Sequence, residues 1–299
     1  MAGLKQIKSK IRSYEKTQTV TKAMEAVSAA KMRKAQLQAL SGRPYASAAV
    51  SILARLSGTN DFKNHRMVKP AQNSSTLYIV ITSDKGLAGS LNSGVLRKIY
   101  SEMGEHTSVI AVGKKANDFF ITRNVPVTAF HPNNDKITPE LIDEITLEAL
   151  NRFNMGAVGT VKIAYQNFIS TLEQKPAVHT MLPLSLGELK HLVAGITPTK
   201  GAFSEQTSIK SPAGYSIELD SDMDVLTTLA PKLVSIFVYD ALIESHASEH
   251  SARMVSMKSA SDKAGEMEHK LTLQFNKARQ AAITREVSEI IGGMEAMAN

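Results

Sequence analysis

A glycine-containing turn is the first stretch of the sequence whose residue types could do chemistry. It reads Ser83-Asp-Lys-Gly-Leu-Ala-Gly-Ser-Leu-Asn92 and directly follows the apolar run Thr76–Thr82. A strand, such a turn and a helix can together hold a phosphate on backbone N–H groups. The G-x-G-x-x-G spacing of dinucleotide sites and the Gly-Lys-Ser/Thr of a P-loop are both absent. The turn therefore favours a structural or subunit-contact role, and a nucleotide-binding α/β enzyme is the alternative.

A second stretch, His246-Ala-Ser-Glu-His250, matches the H-x-x-E-H pattern of a class of zinc proteases. Two histidines four residues apart share one helix face and could bind Zn²⁺. The match lies in the middle of a long predicted helix, however, and no third ligand is evident near it. We therefore expect packing or a solvated helix face here, and we predict no catalytic residue, metal or cofactor for the chain.

A third stretch places polar side chains near the C-terminal end of the same predicted helix. Within Asn276–Thr284, Gln280 and Thr284 are four residues apart and share a face, and Arg279 adjoins Gln280. Such groups could hydrogen-bond to a partner that encloses the helix. A solvated face explains them equally well from sequence alone.

The positive charge is concentrated at one end of the chain. The formal net charge is +7, and the first 34 residues account for it with Glu15, Glu25 and nine basic residues: Lys5, Lys8, Lys10, Arg12, Lys16, Lys22, Lys31, Arg33 and Lys34. A basic stripe indicates an acidic partner, which could be nucleic acid, anionic lipid or a protein surface. A solvated helix face remains the alternative. The chain has no Cys, so it forms no disulfide, and no apolar run approaches the roughly 20 residues of a membrane span.

Both ends of the chain have the pattern of long helices. Apolar residues recur at spacings of three and four from Leu4 to Val27, and again from Leu226 to Ile291. The second helix would extend roughly 100 Å at 1.5 Å per residue. So long an apolar stripe needs another long helix as its partner, and the N-terminal helix is the obvious one. With a globular insert between them the two helices should run antiparallel, and the longer C-terminal helix should project beyond its mate.

The middle of the chain alternates strand and helix patterns. Predicted strands at 76–82, 109–113, 125–130, 161–165 and 178–182 enclose helical stretches at about 91–104, 114–123 and 138–153. This alternation predicts a mostly parallel, Rossmann-like sheet. The predicted organisation is therefore α+β overall, with an N-terminal coiled-coil helix (1–58), a linker (59–75), an α/β domain (76–215) and a C-terminal coiled-coil helix (216–299).

Several of these stretches together resemble the gamma subunits of F-type ATP synthases. Thr17-Gln-Thr-Val-Thr-Lys-Ala-Met24 and Ala30-Lys-Met-Arg-Lys34 look like the start of that family's chains. The turn at 83–92 resembles its S-D-[RK]-G-L-x-G-x-x-N motif, and Glu249–Met254 and Asn276–Thr284 resemble its C-terminal signature. The matches lie at both ends and in the middle, so the resemblance covers essentially the whole chain.

The resemblance implies a non-catalytic rotor shaft. Gamma subunits stand inside a ring of three alpha and three beta subunits, and their foot, with the epsilon subunit, rests on the membrane c-ring. Ion flow turns the c-ring, and the shaft then drives the beta sites through ATP synthesis or hydrolysis. The implied location is the cytoplasmic face of the bacterial plasma membrane, without insertion into it. Nucleic acid is not an implied partner.

The resemblance also implies contact residues. It implies that an acidic beta loop faces the basic stripe, that a polar catch forms with beta, and that an apolar bearing receives the C-terminal end. The residues implied to contact the ring are Met24, Lys22, Lys31, Arg33, Lys34, Arg279, Gln280, Thr284, Ile290 and Ile291. The turn residues implied to belong to the foot are Asp84, Lys85, Gly86, Gly89 and Asn92.

Overall fold

Two long helices begin and end the fold, and an α/β layer structure lies between them in the chain. The computed structural model describes residues 2–56, 62, 64–69, 73–185, 187 and 222–298. The helices are α1 (Ala2–Leu56), α2 (Leu91–Glu102), α3 (Lys114–Ile121), α4 (Pro139–Asn154) and α5 (Asp222–Ala298). The strands are β1 (Thr76–Ile81), β2 (Thr107–Val112), β3 (Val127–His131), β4 (Thr160–Phe168) and β5 (Gln174–Leu182).

The two long helices run antiparallel, as predicted. Gly265 of α5 lies against α1 so closely that an added Cβ would be 2.6 Å from Nε2 of Gln18. Within residues 28–253, Ala35 packs with Ile243 and Ala247, and further along α1 a Cβ on Gly42 would lie 3.6 Å from Oδ1 of Asp240. Residue numbers thus rise along one helix while they fall along the other. Both helices are continuous through their internal prolines, Pro44 in α1 and Pro231 in α5.

The sheet has the order β3-β2-β1-β4-β5. β1 pairs in parallel with both β2 and β4, and β2 pairs in parallel with β3. β5 alone is antiparallel, paired with β4. The prediction of a mostly parallel, Rossmann-like sheet is therefore confirmed. Because a strand alternates its side chains between two faces, β1 contributes to both halves of the core.

Each face of the sheet is covered by helices. Leu77, Ile79 and Ile81 belong to a core with residues of α4 and the first part of α5. Tyr78 and Val80 belong to a second core with residues of α2 and α3. The central strands β1 and β2 are almost continuous apolar runs, as expected for strands buried on both faces. Burial also explains how α5 tolerates Pro231, since neighbouring residues of the helix from Ala230 to Leu242 join the first core.

The chain forms two compact units. One holds residues 28–253, which include the whole sheet and a part of each long helix, and the other holds residues 1–27 and 254–299. The predicted boundary at 215/216 lies outside the described residues, so the predicted domain limits stay predictions. Within the predicted linker, Phe62 and Met67 are buried in the first core. None of the helices in the described ranges is long and apolar enough to cross a bilayer.

Candidate functional site at the carboxyl edge of the sheet

In an open α/β sheet, ligands bind beyond the carboxyl ends of the parallel strands, where the strand order reverses. Here that position is next to β1, because β2 follows β1 on one side and β4 lies on the other. The sequence-predicted turn at 83–92 begins at this edge, two residues after β1 ends. Residues 246–253 of α5 contact the same edge. We call residues 246–253 of α5, together with the turn and strand-end residues that they contact, the carboxyl-edge junction.

The turn at 83–92 is held by its own side chains. The amide of Asn92 donates to Oγ of Ser83 at 2.7 Å and its oxygen accepts from the Ser83 N–H at 3.1 Å. The carboxylate of Asp84 accepts from the backbone N–H of Lys114 at 2.8 Å, which joins the turn to the start of α3. Gly89 has φ of 59°, a conformation that glycine adopts at little cost. Asp84, Gly89 and Asn92 thus shape the turn, while the Lys85 side chain is 77% exposed.

Arg253 joins the turn to α5. Its Nε and Nη2 donate to the carbonyl oxygen of Gly86 at 3.3 and 3.2 Å. Nη2 also donates to Oε1 of Glu249, one helical turn earlier, at 2.6 Å. Both side chains of this ion pair are about nine-tenths buried. Burial raises the pKa of the Glu249 carboxyl, and the charge and hydrogen bond of Arg253 oppose that rise.

His246 joins α5 to the end of β3 through Asn133. The amide nitrogen of Asn133 donates to the carbonyl oxygen of Thr82 at 2.8 Å, so its oxygen faces His246. The distance from that oxygen to Nε2 of His246 is 2.7 Å, and Nε2 must therefore carry the proton. Burial lowers the pKa of His246, which favours this neutral ring. One histidine thereby connects the ends of β1 and β3 to the helix.

Two buried serines join α5 to β4 and to the loop that follows it. Oγ of Ser248 donates to the carbonyl oxygen of Gln166 at 2.9 Å, and Oγ of Ser251 donates to the carbonyl oxygen of Thr171 at 2.7 Å. Both serines are fully buried. A hydroxyl at such a position needs a hydrogen-bond partner, since leaving it unpaired costs about 1–3 kcal/mol.

An ion pair joins α1 to the same edge. Nζ of Lys31 lies 2.6 Å from Oδ2 of Asp135, in the loop after β3. The hydrogen bond from Lys31 lowers the pKa of Asp135, so that carboxylate is charged at neutral pH. His250 approaches Asp135 at 3.8 Å. Burial, with the neighbouring His246 and Arg253, lowers the pKa of His250 to about 4, so its ring is neutral and the approach is not an ion pair.

The polar groups at this edge of the sheet are already hydrogen-bonded within the chain. The groups that would face a nucleotide, the Gly86 carbonyl and the strand ends, are hydrogen-bonded to the chain's own helix. His246 and His250 share a helix face, but His246 bonds to an amide and not to a third ligand. Over the residues that the structure describes, no group of three or more metal-ligating side chains is close enough to bind an ion.

The residues implied to contact the ring lie apart from the junction, except Lys31. Met24 is half-buried, and the side chains of Lys22, Arg33, Lys34, Arg279, Gln280, Thr284, Ile290 and Ile291 are exposed. Thr284 donates to the carbonyl oxygen of Gln280 on its own helix at 3.0 Å. Lys22 and Met24 share a compact unit with the residues from 279 onward, whereas Lys31, Arg33 and Lys34 belong to the unit with the sheet.

Sequence reasoning missed most of the junction. It did not single out Asn133, Asp135, Ser248 or Ser251 for any role. For His246 and His250 it weighed metal binding and favoured packing or a solvated helix face, without naming the groups they contact. One signal was available: Glu249 and Arg253 stand four residues apart with opposite charge, the spacing of a helical ion pair.

Fold and junction together define a class: a protein with two long paired helices and an α/β domain between them in the chain, in which the C-terminal helix contacts the carboxyl edge of the sheet. Comparison with known proteins agrees with that class. The family model described as "ATP synthase" matches residues 3–297. The chain is 38% identical to the ATP synthase gamma chain of Heliobacterium modesticaldum over 300 residues, covering 99% of this chain and 100% of the relative. It is 37% identical to the gamma chain of Pelotomaculum thermopropionicum with the same coverage.

Solved structures show the same fold at low sequence identity. A chain of the Euglena gracilis mitochondrial ATP synthase, from its OSCP/F1/c-ring structure, matches with a TM-score of 0.64 at 20% identity, covering 99% of this chain and 95% of that one. A chain from the Tetrahymena thermophila central stalk and c-ring matches with a TM-score of 0.60 at 22% identity, covering 81% and 99%. The chain belongs to the ATP synthase gamma-chain family. The predictions of a gamma-type subunit and of a non-catalytic role are confirmed, and the nucleotide-binding enzyme gains no support.

Proposed function

We propose that this chain is the central shaft of a bacterial rotary ATP synthase. It couples ion-driven rotation of the membrane c-ring to ATP synthesis or hydrolysis at the beta subunits of an alpha/beta ring. The observation that carries the proposal is family membership over residues 3–297, in a chain whose two end helices pair antiparallel. A pair of packed helices resists bending and twisting because interiors are close-packed, which is what a shaft requires.

The projecting end of α5 supports a position inside the ring. Gln18 lies opposite Gly265, so Ala2 at the start of α1 comes level with a residue sixteen positions beyond Gly265. The rest of α5, to Ala298, therefore extends past its mate. Its exposed apolar residues are Ile283, Val287, Ile290, Ile291 and Met294. A contiguous apolar stripe of this kind is suited to a protein bearing, and Ile290 and Ile291 are the residues that we propose contact the ring there.

The remaining ring contacts are polar. Exposed Arg279, Gln280 and Thr284 form the proposed catch with the beta subunit, at the place where the projecting end begins. Lys22, Arg33 and Lys34, with Met24 between them in sequence, offer positive charge to an acidic beta loop. Lys31 differs from these because it already pairs with Asp135. We propose that Lys31 contributes less to the ring contact than its exposed neighbours do.

The sheet domain is the proposed foot. Together with the epsilon subunit it would rest on the c-ring. Two exposed side chains of the turn at 83–92 could meet such a partner: Leu87, and Lys85, whose Nζ lies 4.0 Å from Oδ2 of Asp135. As part of the membrane-associated ATP synthase, the chain is peripheral. We place it on the cytoplasmic face of a bacterial plasma membrane, because the curated relatives at 35–38% identity are bacterial chains.

Reconstitution tests the proposal. The purified chain should show no ATPase activity alone, should assemble with alpha, beta and epsilon subunits, and should restore proton pumping to membranes that lack their gamma subunit. Arg279→Ala combined with Gln280→Ala should slow coupled turnover without preventing assembly, whereas Lys263→Ala, an exposed α5 residue outside the proposed contacts, should not. Turnover of ATP by the isolated chain, or failure of the intact chain to restore pumping, would refute the shaft assignment.

A further inference from the structure

The crevice that other doubly wound sheets use for a ligand is occupied here by residues 246–253 of α5. We propose that torque passes between the sheet domain and the shaft through the carboxyl-edge junction, with Ser248, Ser251 and Asp135 as positioning residues. The inference rests on the proposed shaft function and adds the place where the foot is fastened.

The joint reaches several strand ends from one helix. Ser248 binds a carbonyl of β4, Ser251 binds a carbonyl of the loop after β4, and Arg253 binds the turn after β1. His246 binds Asn133 after β3, which in turn donates to Thr82 after β1. A helix fixed at a single strand could pivot about that contact. Here α5 is bonded to strands on both sides of the position where the strand order reverses. It therefore cannot rotate about its axis without breaking its hydrogen bonds to all of these strand ends.

The second helix is fastened at the same place. Lys31 of α1 pairs with Asp135 after β3, and Asp135 also faces His250 of α5. Both long helices, α1 and α5, are therefore bonded to the carboxyl edge of the same sheet. An apolar contact alone would allow the helices to slide, because the hydrophobic effect is non-directional, whereas these hydrogen bonds fix an angle.

The buried polar content of α5 supports this role. Ser245, His246, Ser248, Glu249, His250, Ser251 and Arg253 are all at most 8% exposed. Burying so many polar groups is costly unless each finds a partner, and an apolar segment could fill the same crevice. The polar segment supplies what an apolar one would not, namely directional contacts to particular strand ends.

The test compares pumping with hydrolysis in the assembled enzyme. In inverted membrane vesicles, Ser248→Ala combined with Ser251→Ala should lower protons pumped per ATP hydrolysed at least twofold while the hydrolysis rate stays near that of the wild type. Hydrolysis depends on the ring and the shaft within it, whereas pumping also needs torque to reach the foot. A merely structural loss would lower both through poorer assembly. Ser9→Ala combined with Ser259→Ala, both exposed serines, is the matched control.

A second variant keeps the inference testable if the double serine variant does not fold. Asp135→Asn removes the charge that pairs with Lys31 at a half-exposed position, and it should lower the same ratio by a smaller factor than the serine pair. Asp118→Asn, an exposed carboxyl on α3, is its control. Hydrogen exchange should show faster exchange of the amides of residues 246–253 in the serine variant, by roughly 5–30-fold for 1–2 kcal/mol.

The outcomes separate the two proposals. If the wild-type chain fails to restore pumping at all, the shaft function is wrong. If it restores pumping, and the folded serine variant and Asp135→Asn both pump with the wild-type ratio, the torque joint is wrong and the junction serves only to hold the fold together.

Discussion

The helix α5 passes through two different environments, and the comparison between them separates folding from assembly. From Ala241 to Arg253 almost every residue is buried, including charged and polar ones. From Ile283 to Met294 every residue is exposed, including large apolar ones. In the first segment polar groups find their partners within the chain, at the carboxyl-edge junction. In the second segment large apolar side chains are about half or more exposed, as expected of a surface that other subunits cover.

Because the two segments of α5 differ in burial, changes in them should be detected by different measurements. A change in the buried segment should affect the isolated chain, because its contacts are internal. A change in the projecting segment should leave the isolated chain unaffected and alter only the assembled complex. Four predictions probe this division, beginning with the change expected to have the largest effect.

Arg253→Ala should destabilise the isolated chain most, by about 3–5 kcal/mol, because it leaves the buried carboxylate of Glu249 without its cation. Chemical denaturation of the purified chain measures this free energy. Arg285→Ala, at an exposed position of the same helix, should change it by less than about 0.5 kcal/mol. Removing both Arg253 and Glu249 should recover part of the loss. A small loss for Arg253→Ala alone would mean that the ion pair is not needed for the fold.

Apolar truncations should show the same contrast. Leu242 is fully buried in the core between α5 and the sheet, so Leu242→Ala should cost about 2–5 kcal/mol. Ile290 is 63% exposed, so Ile290→Ala should leave the unfolding free energy nearly unchanged in the isolated chain. In the assembled complex, Ile290→Ala should weaken retention of the chain by the alpha/beta ring, as measured by gel filtration at dilution. Equal stability losses in the isolated chain would contradict the division of α5.

The sequence predicted the elements of this fold much better than the contacts between them. Helical periodicity predicted both long helices, and short apolar runs typical of strands predicted all five strands. Both patterns are local, so the sequence alone shows them. The junction was not predicted because its partners are far apart in sequence: His246 and Asn133 are separated by 113 residues, and Arg253 and Gly86 by 167. The spacing of His246 and His250 fits a metal site, but only the folded structure shows that His246 binds the side-chain amide of Asn133.

The histidines of the buried segment should make stability depend on pH. His250 titrates near pH 6.5 in an unfolded chain, and its pKa is about 4 in the fold. Between these values the unfolded chain binds more protons, so stability should fall as the pH decreases from about 6.5 towards 4, by up to roughly 3 kcal/mol. The lowered pKa of His246 acts in the same direction, and the raised pKa of the Glu249 carboxyl acts in the opposite one.

Denaturation at a series of pH values, compared with the variant His250→Gln, measures the share of His250 in this dependence. The variant should lose less stability than the wild type between pH 6.5 and 4. His269→Gln, at an exposed position of α5, should follow the wild-type curve. Parallel curves for the wild type and His250→Gln would show that the His250 ring is not held neutral by the fold.

The smallest effect should come from Lys31, and it bears directly on which basic residues face a partner. Its pair with Asp135 is half-exposed, so Lys31→Ala should cost the isolated chain only about 0.2–1 kcal/mol. Lys34→Ala, three residues along the same helix and exposed, should cost nothing measurable there, but it should weaken a charge-dependent contact with the ring. The two lysines are alike in sequence and differ in having an internal partner. If both variants behave alike in the isolated chain and in the complex, the internal ion pair does not distinguish Lys31 from the rest of the basic stripe.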